Sequence, residues 1–272
     1  MPELPEVETT LRGIAPHVLD KNINKVVIRH YGLRWPIARD IHKKLVGHQV
    51  AQLARRGKYL LLHLTQGTLI IHLGMSGRLC IVDKNIPAQK HDHVDVEFNS
   101  QKVLRFTDPR RFGAFLWTEN HDDHKLLNHL GPEPLTEVFC GEYLFARAKN
   151  KKIAVKTFIM DQKIVVGVGN IYANEALFLA GINPSQSACQ ITLSRYEKLT
   201  EHIKNILRQA IKQGGTTLKD FLNSDGKPGY FSQNLLVYGR ENKPCTHCGT
   251  TLMGIQIGKR ATVFCPKCQE KD

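Results

Sequence analysis

The amino terminus carries a residue that could form a covalent bond with a sugar. Met1 precedes Pro2, and removal of the initiator methionine would leave a free secondary amine. An α-amine titrates at about pH 8, so a useful fraction is neutral and nucleophilic at neutral pH. Attack of this amine on a nucleotide C1′ would expel the base and leave an iminium ion, which acidifies the neighbouring sugar hydrogens. Such an amine could release a base and then promote strand cleavage by elimination.

Two carboxylates, Glu3 and Glu6, lie directly behind this amine. A carboxyl group at this position could move protons to the sugar ring oxygen and to leaving groups. The same carboxylates could instead only stabilise a helix N-terminus, where the helix dipole favours negative charge. Their positions alone leave both interpretations open.

Four of the seven cysteines form a metal-ligand pattern near the carboxyl end. Cys245 with Cys248 and Cys265 with Cys268 make two C-x2-C pairs, separated by sixteen residues. Two such turns complete a tetrahedral zinc site, and four sulfur ligands leave no open position. We therefore expect one structural Zn2+, with His247 as a less favoured alternative ligand.

The segment between the cysteine pairs, residues 254–265, alternates like a β-hairpin, with Arg260 near its turn. A small zinc ribbon has little core of its own, so the metal supplies much of its folding energy. We expect the zinc ribbon to expose this turn to a binding partner, and Arg260 is a candidate contact with a phosphate. A solvated surface arginine is the alternative.

The formal net charge of +13 favours a polyanionic partner, because lysines and arginines that neutralise phosphates release counterions. The sequence contains no bilayer-spanning apolar stretch, and its acidic start lacks a signal-peptide core. We expect a cytoplasmic protein, associated with the nucleoid in a bacterium, that has no membrane partner.

The elements that must position these residues predict an α+β fold. A short amphipathic helix follows the amino terminus, and short β-rich segments then run to about residue 130, as in an antiparallel β-sandwich. These segments are residues 25–30, 58–64, 68–74, 93–98, 102–106 and 113–118. Residues 131–134, Gly-Pro-Glu-Pro, read as a linker. Helices are predicted at residues 170–180 and 193–212. We expect domains at 1–130, 131–238 and 239–272.

Together these pieces resemble the formamidopyrimidine-DNA glycosylase family, also called 8-oxoguanine DNA glycosylase/AP lyase. The resemblance is collinear over nearly the whole chain. Its motifs are MPELPEVETT, RRGKYL, HLGMSG, KHDHV, FTDPRRFG, GPEPL, DQKIVVGVGNIYANEAL, QNLLVYGR and GKRATVFCPKCQ, together with the two cysteine pairs. The family's helical second half is a helix–two-turn–helix module, which agrees with the predicted helices; the zinc ribbon follows this module in the chain.

The resemblance implies a bifunctional DNA glycosylase/AP lyase of base excision repair, acting as a monomer on damaged double-stranded DNA. It would excise oxidised purines, such as 8-oxoguanine and formamidopyrimidines, through a Pro2 Schiff base and then cleave the strand by β,δ-elimination. Glu3 matches the acid that opens the sugar, and Glu6 matches a supporting carboxylate. Lys58 matches a lysine that holds a phosphate beside the lesion and supports catalysis.

The resemblance also implies the DNA contacts. The phosphate ligands are His72, Asn170 and Arg260, with His91 and Arg111 as further contacts. Lys156 matches a lysine associated with recognition of the oxidised purine. Tyr172 and Glu175 lie on the matching helix, in roles that the resemblance does not fix.

Extruding a nucleotide leaves a gap and an unpaired partner base. Met75 resembles the residue that fills the gap, Arg110 can hydrogen-bond the orphaned cytosine, and Phe112 can wedge beside it. Without the resemblance, Met75 would be core, Phe112 strand packing and Arg110 a surface charge.

Two features depart from the pattern or depend on processing. Ser76 stands where some family members have an acidic residue that touches the lesion, which puts direct contact here in doubt. Met1, if retained, would block the amine.

A long loop over residues 216–233 is expected to cap the extruded base.

Two other functions fit part of the sequence. The sister family endonuclease VIII, which prefers oxidised pyrimidines, would share Pro2, Glu3, Lys58 and the zinc cysteines. Leu4 and the run Arg110 to Phe112 favour the purine enzyme. A non-enzymatic zinc-finger DNA-binding protein would share the charge and the zinc site, but it has no need for Pro2 and Glu3.

Overall fold

The structure, a computed structural model, describes residues 2–215 and 235–271. Within these residues the chain divides into two compact units. The first contains residues 2–128 and 213–215, and the second contains residues 129–212 and 235–271. The amino-terminal carboxylates and the paired cysteines therefore belong to different units.

The first unit is built on eight strands, whose branched and aromatic residues suit a pleated, half-buried surface. Their bounds are β1 Ile23–Ile28, β2 Val50–Arg56, β3 Tyr59–Leu64, β4 Gly67–His72, β5 Arg78–Asp83, β6 Asp92–Phe98, β7 Lys102–Thr107 and β8 Ala114–Thr118. They form two antiparallel sheets, with strand orders β1-β6-β7-β5 and β2-β3-β4-β8.

The two sheets share one apolar core. Leu60 and Leu62 of β3 belong to the same buried cluster as Val96 of β6, which lies in the other sheet. Helix α1, Leu4–Val18, adds Val7 and Ile14 to this cluster, from positions that recur on one helix face. The unit is thus a sandwich whose core also fixes α1. A short helix, α2 Ile41–Leu45, completes it.

One end of the sandwich brings together strand ends from both sheets. Paired residues mark that end: His72 with Ala114 in one sheet, and Arg78 with Thr107 in the other. The chain crosses between the sheets twice at this end. The Met75 loop, residues 73–77, joins β4 to β5, and the Phe112 loop, residues 108–113, joins β7 to β8. Side chains on the two loops therefore share one edge of the unit.

Helices form most of the second unit. Their bounds are α3 Gly141–Ala148, α4 Val155–Met160, α5 Asn170–Leu179 and α6 Leu193–Lys212, with a 3-10 turn at Ala188–Gln190. Helix α6 buries Leu199, Ile203 and Leu207 on one face, at helical spacing. Residues 171–178 of α5 are all buried, so α5 is a central helix that the other elements surround.

The unit ends in a hairpin of β9 Met253–Ile257 and β10 Arg260–Phe264. Gly258 and Lys259 form its two-residue turn with φ values of 57° and 60°. Positive φ at both central residues matches the right-handed twist of the flanking strands. The predicted hairpin is confirmed, and its turn leaves Arg260 exposed.

The predicted α+β fold is confirmed, with its antiparallel sandwich, flanking helix and carboxyl-terminal cysteine hairpin. Helices lie at the predicted positions near residues 170–180 and 193–212. Strands β2 and β5 and the short helices α2, α3 and α4 were not predicted. None of the helices in the described ranges is long and apolar enough to cross a membrane.

Candidate active site and nucleic-acid interface

Glu6 holds the backbone of Glu3, the residue that follows the proposed nucleophile Pro2. Pro2, Glu3 and Glu6 are all buried. Glu3 has an extended backbone immediately before α1, and its N–H donates to Glu6 Oε2 at 2.8 Å. Because Pro2 is bonded to the Glu3 amide, this contact sets the direction in which proline enters the site. The structure therefore brings the three predicted residues together, while Met1 lies outside the described residues.

Lys58 and His72 lie close together through the register of one sheet. Lys58 is only 4% exposed and occupies the turn between β2 and β3, after Gly57, whose φ is 57°. The next residue, Tyr59, pairs with His72 at the end of β4. Two of the predicted phosphate contacts, Lys58 in this turn and His72 at the end of β4, are therefore neighbours.

His72 is a neutral hydrogen-bond donor. Burial, followed by the positive charges of Lys58 and Arg34, lowers the pKa of His72 to about 4. Its Nδ1 lies 3.1 Å from the Gly74 N–H and accepts from it, which leaves the ring proton on Nε2. His72 can thus donate to a phosphate oxygen without adding another positive charge.

The proposed gap-filling side chains lie on the two crossover loops. Met75 is partly exposed, in a loop that the Gly77 N–H closes by donating to the Leu73 carbonyl oxygen at 2.8 Å. Phe112 is 41% exposed, and the Arg110 guanidinium lies 4.9 Å from the centre of its ring. Phe112 is therefore not buried strand packing, and Met75 is not fully enclosed core. The structure brings Arg110 and Phe112 into contact.

A buried ionic network holds the segment that precedes His91. Arg105 makes a two-point contact with Asp95, at 2.8 and 2.9 Å, and also donates to two carbonyl oxygens of the segment preceding His91. Burial would raise the pKa of Asp95, but hydrogen bonds from Arg105 and Arg29 outweigh it and lower the pKa. His91 and Arg111 line one cavity of about 360 Å3, so these two predicted contacts share a surface.

The four paired cysteines fit a zinc ion. Their sulfur atoms all lie within 4.8 Å of one another. The Sγ–Sγ distance is 4.0 Å between Cys245 and Cys268 and 3.5 Å between Cys248 and Cys265. Four Zn–S bonds of about 2.3 Å in a tetrahedron set sulfurs about 3.8 Å apart, which the cluster matches. His247 instead places its ring 4.7 Å from that of Phe178, so cysteine is the ligand at all four positions.

Two helices hold the hairpin strand that begins at Arg260. Lys156 of α4 is 1% exposed, and its Nζ donates to the Ala261 carbonyl oxygen at 2.9 Å and to Thr262 Oγ1 at 2.6 Å. Asn170, the first residue of α5, donates from Nδ2 to the same Ala261 oxygen at 3.0 Å. The structure thus brings Lys156, Asn170 and Arg260 together at the hairpin.

Asn174 completes this anchoring, and sequence reasoning missed it. Its Oδ1 accepts the Val263 N–H at 2.9 Å. No local pattern could have indicated the contact, because the two residues are 89 positions apart. The Asn174 side chain reaches the hairpin only because α5 packs against β10.

Glu175 holds the segment that leads into the hairpin region. Its carboxylate accepts the backbone N–H groups of Leu236, Val237 and Tyr238 at 2.8, 3.0 and 2.7 Å. Burial raises the pKa of Glu175, and these three donors lower it in part. Tyr172 is fully buried in the core of the unit. The predicted capping loop at residues 216–233 lies outside the described residues.

Comparison with known proteins gives three matches in chain order. Residues 1–115 match the formamidopyrimidine-DNA glycosylase N-terminal domain. Residues 130–222 match the formamidopyrimidine-DNA glycosylase H2TH domain, and residues 242–271 match a zinc finger found in FPG and IleRS.

Whole-chain relatives agree with these domain matches. The chain is 58% identical to a formamidopyrimidine-DNA glycosylase of Pseudomonas savastanoi pv. phaseolicola, over 99% of this chain and 100% of that protein. It resembles the Lactococcus lactis Fpg in complex with DNA containing an abasic site, with a TM-score of 0.91, 31% identity and coverage of 99% and 100%. It also resembles MutM in complex with DNA containing carbocyclic 8-oxo-G, with a TM-score of 0.91, 32% identity and the same coverage.

Proposed function

The chain belongs to the formamidopyrimidine-DNA glycosylase family, and on that premise we propose how its residues carry out the reaction. It is a DNA glycosylase of base excision repair that acts on oxidised purines. The observation that supports the mechanism is the burial of Pro2, together with the hydrogen bond that the next residue, Glu3, donates from its N–H to Glu6. After removal of Met1, the Pro2 amine is the nucleophile.

In the first step, the neutral Pro2 nitrogen attacks C1′ of the damaged nucleotide, and the glycosidic bond breaks as the base leaves with the bonding electrons. Glu3, in its acid form, protonates the sugar ring oxygen. The attached nitrogen gives up its N–H proton to the departing base, and the ring opens at the protonated oxygen. The freed nitrogen lone pair then forms the C=N bond of an iminium ion. Glu6 is a supporting residue that holds this segment in place.

Strand cleavage follows from the same intermediate. The iminium ion withdraws electrons, so a base can remove a proton from C2′ and expel the 3′ phosphate. A second elimination expels the 5′ phosphate, which gives the β,δ-elimination of a glycosylase/AP lyase. Attack of water on the iminium ion releases the sugar fragment as an aldehyde and returns the free Pro2 amine, so atoms and charge balance without an external oxidant or reductant.

The damaged nucleotide must leave the duplex before Pro2 can reach C1′. We assign phosphate contacts to Lys58 and His72 in the first unit and, separately, to Asn170 and Arg260 in the second. A lysine charge, a neutral His72 donor and a helix N-terminus at Asn170 are all suited to phosphate oxygens. Lys156 supports this set by holding the Arg260 strand, and its predicted role in lesion recognition stays a prediction.

We assign the gap left by the extruded nucleotide, and the unpaired base opposite it, to the Met75 and Phe112 loops. Met75 fills the gap, Arg110 hydrogen-bonds the orphaned cytosine and Phe112 unstacks the neighbouring step. The exposure of Phe112 and its contact with Arg110 support this assignment. His91 and Arg111 then contact the backbone from the cavity they share.

We also propose that the protein acts as a monomer on damaged double-stranded DNA, in the cytoplasm at the nucleoid. The net charge of +13 supports the DNA partner. The division into domains 1–130, 131–238 and 239–272 is supported by the matched ranges 1–115, 130–222 and 242–271.

Substrate choice tests the function directly. Single-turnover excision is measured on duplexes carrying 8-oxoguanine opposite cytosine or thymine glycol opposite adenine. We expect faster release of 8-oxoguanine, since Arg110 is proposed to hydrogen-bond an orphaned cytosine. Faster release of thymine glycol would contradict the assignment and favour an enzyme for oxidised pyrimidines.

A further inference from the structure

A buried pair of residues joins the two crossover loops. The Ser76 hydroxyl donates to Asp108 Oδ1 at 3.1 Å and accepts the Arg110 backbone N–H at 3.3 Å. Ser76 follows Met75 directly, and Asp108 begins the loop that carries Arg110 and Phe112. Each of these bonds links one loop to the other, so both oppose movement of either loop alone.

Asp108 also fixes the far end of its own loop. It is fully buried, and its Oδ2 accepts the Gly113 N–H at 2.8 Å. Its carbonyl oxygen, which can only accept, lies 2.7 Å from His93 Nε2. Hydrogen bonds from the Ser76 hydroxyl and the Gly113 N–H satisfy this buried carboxyl group. The carboxyl group therefore connects the far end of its own loop to the Met75 loop.

The loops also meet backbone to backbone. Gly74 has a φ of +64°, and a Cβ there would lie 2.6 Å from both the Phe112 carbonyl carbon and the Gly113 nitrogen. Only glycine allows this approach without displacing the Phe112 loop. The Met75 loop and the Phe112 loop are therefore joined in two ways, by the hydrogen bonds of Ser76 and by the backbone contact at Gly74.

We propose that Ser76 and Asp108 are positioning residues that make the two loops one wedge and thereby set selectivity for cytosine opposite the lesion. The inference rests on the proposed function, in which Arg110 reads the orphaned base. Hydrogen bonds discriminate between bases only when the donors are held at a fixed distance and direction. If the Phe112 loop could shift relative to Met75, the Arg110 donors could adapt to adenine as well.

Replacing Ser76 by alanine tests this coupling in the full-length processed protein. The substrates are 8-oxoguanine opposite cytosine, 8-oxoguanine opposite adenine, and a single-stranded oligonucleotide with an abasic site. We expect Ser76→Ala to lower the cytosine-to-adenine ratio of single-turnover rates about tenfold, which is the lower end of the contribution of one buried hydrogen bond to a charged group. Cleavage of the single strand, which has no opposite base, should stay within about twofold of the wild type.

Ser100→Ala is the matched control, because Ser100 is exposed and its hydroxyl also accepts one hydrogen bond, from the Lys102 N–H at 3.2 Å. It should leave the ratio unchanged. Ser76→Thr and Ser76→Val form a second pair of nearly equal volume that differs in the hydroxyl. We expect threonine to keep the wild-type ratio and valine to lose it, which keeps the test valid if the alanine variant is unstable.

Two results would overturn the proposal. One is an unchanged ratio in both Ser76→Ala and Ser76→Val. The other is equal slowing on all three substrates, which would show a general loss of structure. Failure of the proposed function is a separate result, because the wild-type protein itself would then release no 8-oxoguanine from either duplex.

Discussion

Replacing Glu6 perturbs the proposed nucleophile while leaving the proline amine in place. The Glu6 carboxylate accepts the Glu3 N–H at 2.8 Å, and both residues are at most 2% exposed. A buried hydrogen bond to a charged group contributes about 1.5–3 kcal/mol, and each 1.4 kcal/mol is about tenfold in rate. Glu6→Ala should therefore slow base excision by about 10- to 100-fold, because Pro2 loses its fixed direction.

Glu6→Gln separates positioning from charge. Glutamine keeps an oxygen that can accept the Glu3 N–H, but the neutral bond is about half as strong, so a loss of about 3- to 10-fold is expected. A Cβ on Gly215 would lie only 3.0 Å from Glu6 Oε1, so the space around this side chain is restricted and favours an isosteric replacement. The assay is single-turnover excision of 8-oxoguanine, with thermal unfolding recorded for each variant.

Glu142→Ala is the control for this series, since Glu142 is an exposed glutamate in the first turn of α3. It should leave the excision rate unchanged. A Glu6→Ala variant as fast as the wild type would refute the positioning role. A glutamine variant as slow as the alanine variant would instead assign Glu6 to proton transfer.

Three further predictions concern the zinc site and the phosphate contacts. Cys248→Ser should release zinc and abolish DNA binding, measured by metal analysis and equilibrium binding; retained zinc with normal affinity would contradict the structural role. Arg260→Ala should make the negative slope of log K against log salt concentration shallower by about 0.9, which corresponds to the loss of one phosphate contact. An unchanged slope would remove Arg260 from the phosphate ligands. Because the pKa of His72 is lowered from 6.5 to about 4, the unfolded chain binds more protons between these values, so stability is lost as the pH falls through that window. His72→Gln should flatten this part of the pH–stability curve from chemical denaturation, and an unaltered curve would refute the lowered pKa.

The elements with a strong local pattern could be predicted from the sequence. Helix α6 repeats apolar residues at helical spacing, and the glycine after α5 signals its end. Strand β2 was missed because charged Arg55 and Arg56 end a segment with little alternation. Helix α4, VKTFIM, combines β-favouring residues in a six-residue helix. Its tertiary surroundings, including the bond from Lys156 to the hairpin, override local preference.

Candidate site residues could be proposed from the sequence where they stand in one short motif, and not where they depend on partners far away in the chain. Pro2, Glu3 and the cysteine pairs are read from neighbouring positions. Ser76 and Asp108 are 32 positions apart, and only the crossing of two loops between two sheets makes them partners. In the same way, no spacing rule relates Lys156 to Thr262, 106 positions away.

The central claim is that the Pro2 amine forms the covalent bond to DNA. The most direct measurement is mass spectrometry of the mature protein, intact and after borohydride trapping on a duplex with 8-oxoguanine opposite cytosine, followed by peptide mapping. We predict that Met1 is absent and that the reduced adduct maps to the α-nitrogen of Pro2. An adduct on Lys58 or another lysine side chain, or no adduct with active protein that lacks Met1, would contradict the account.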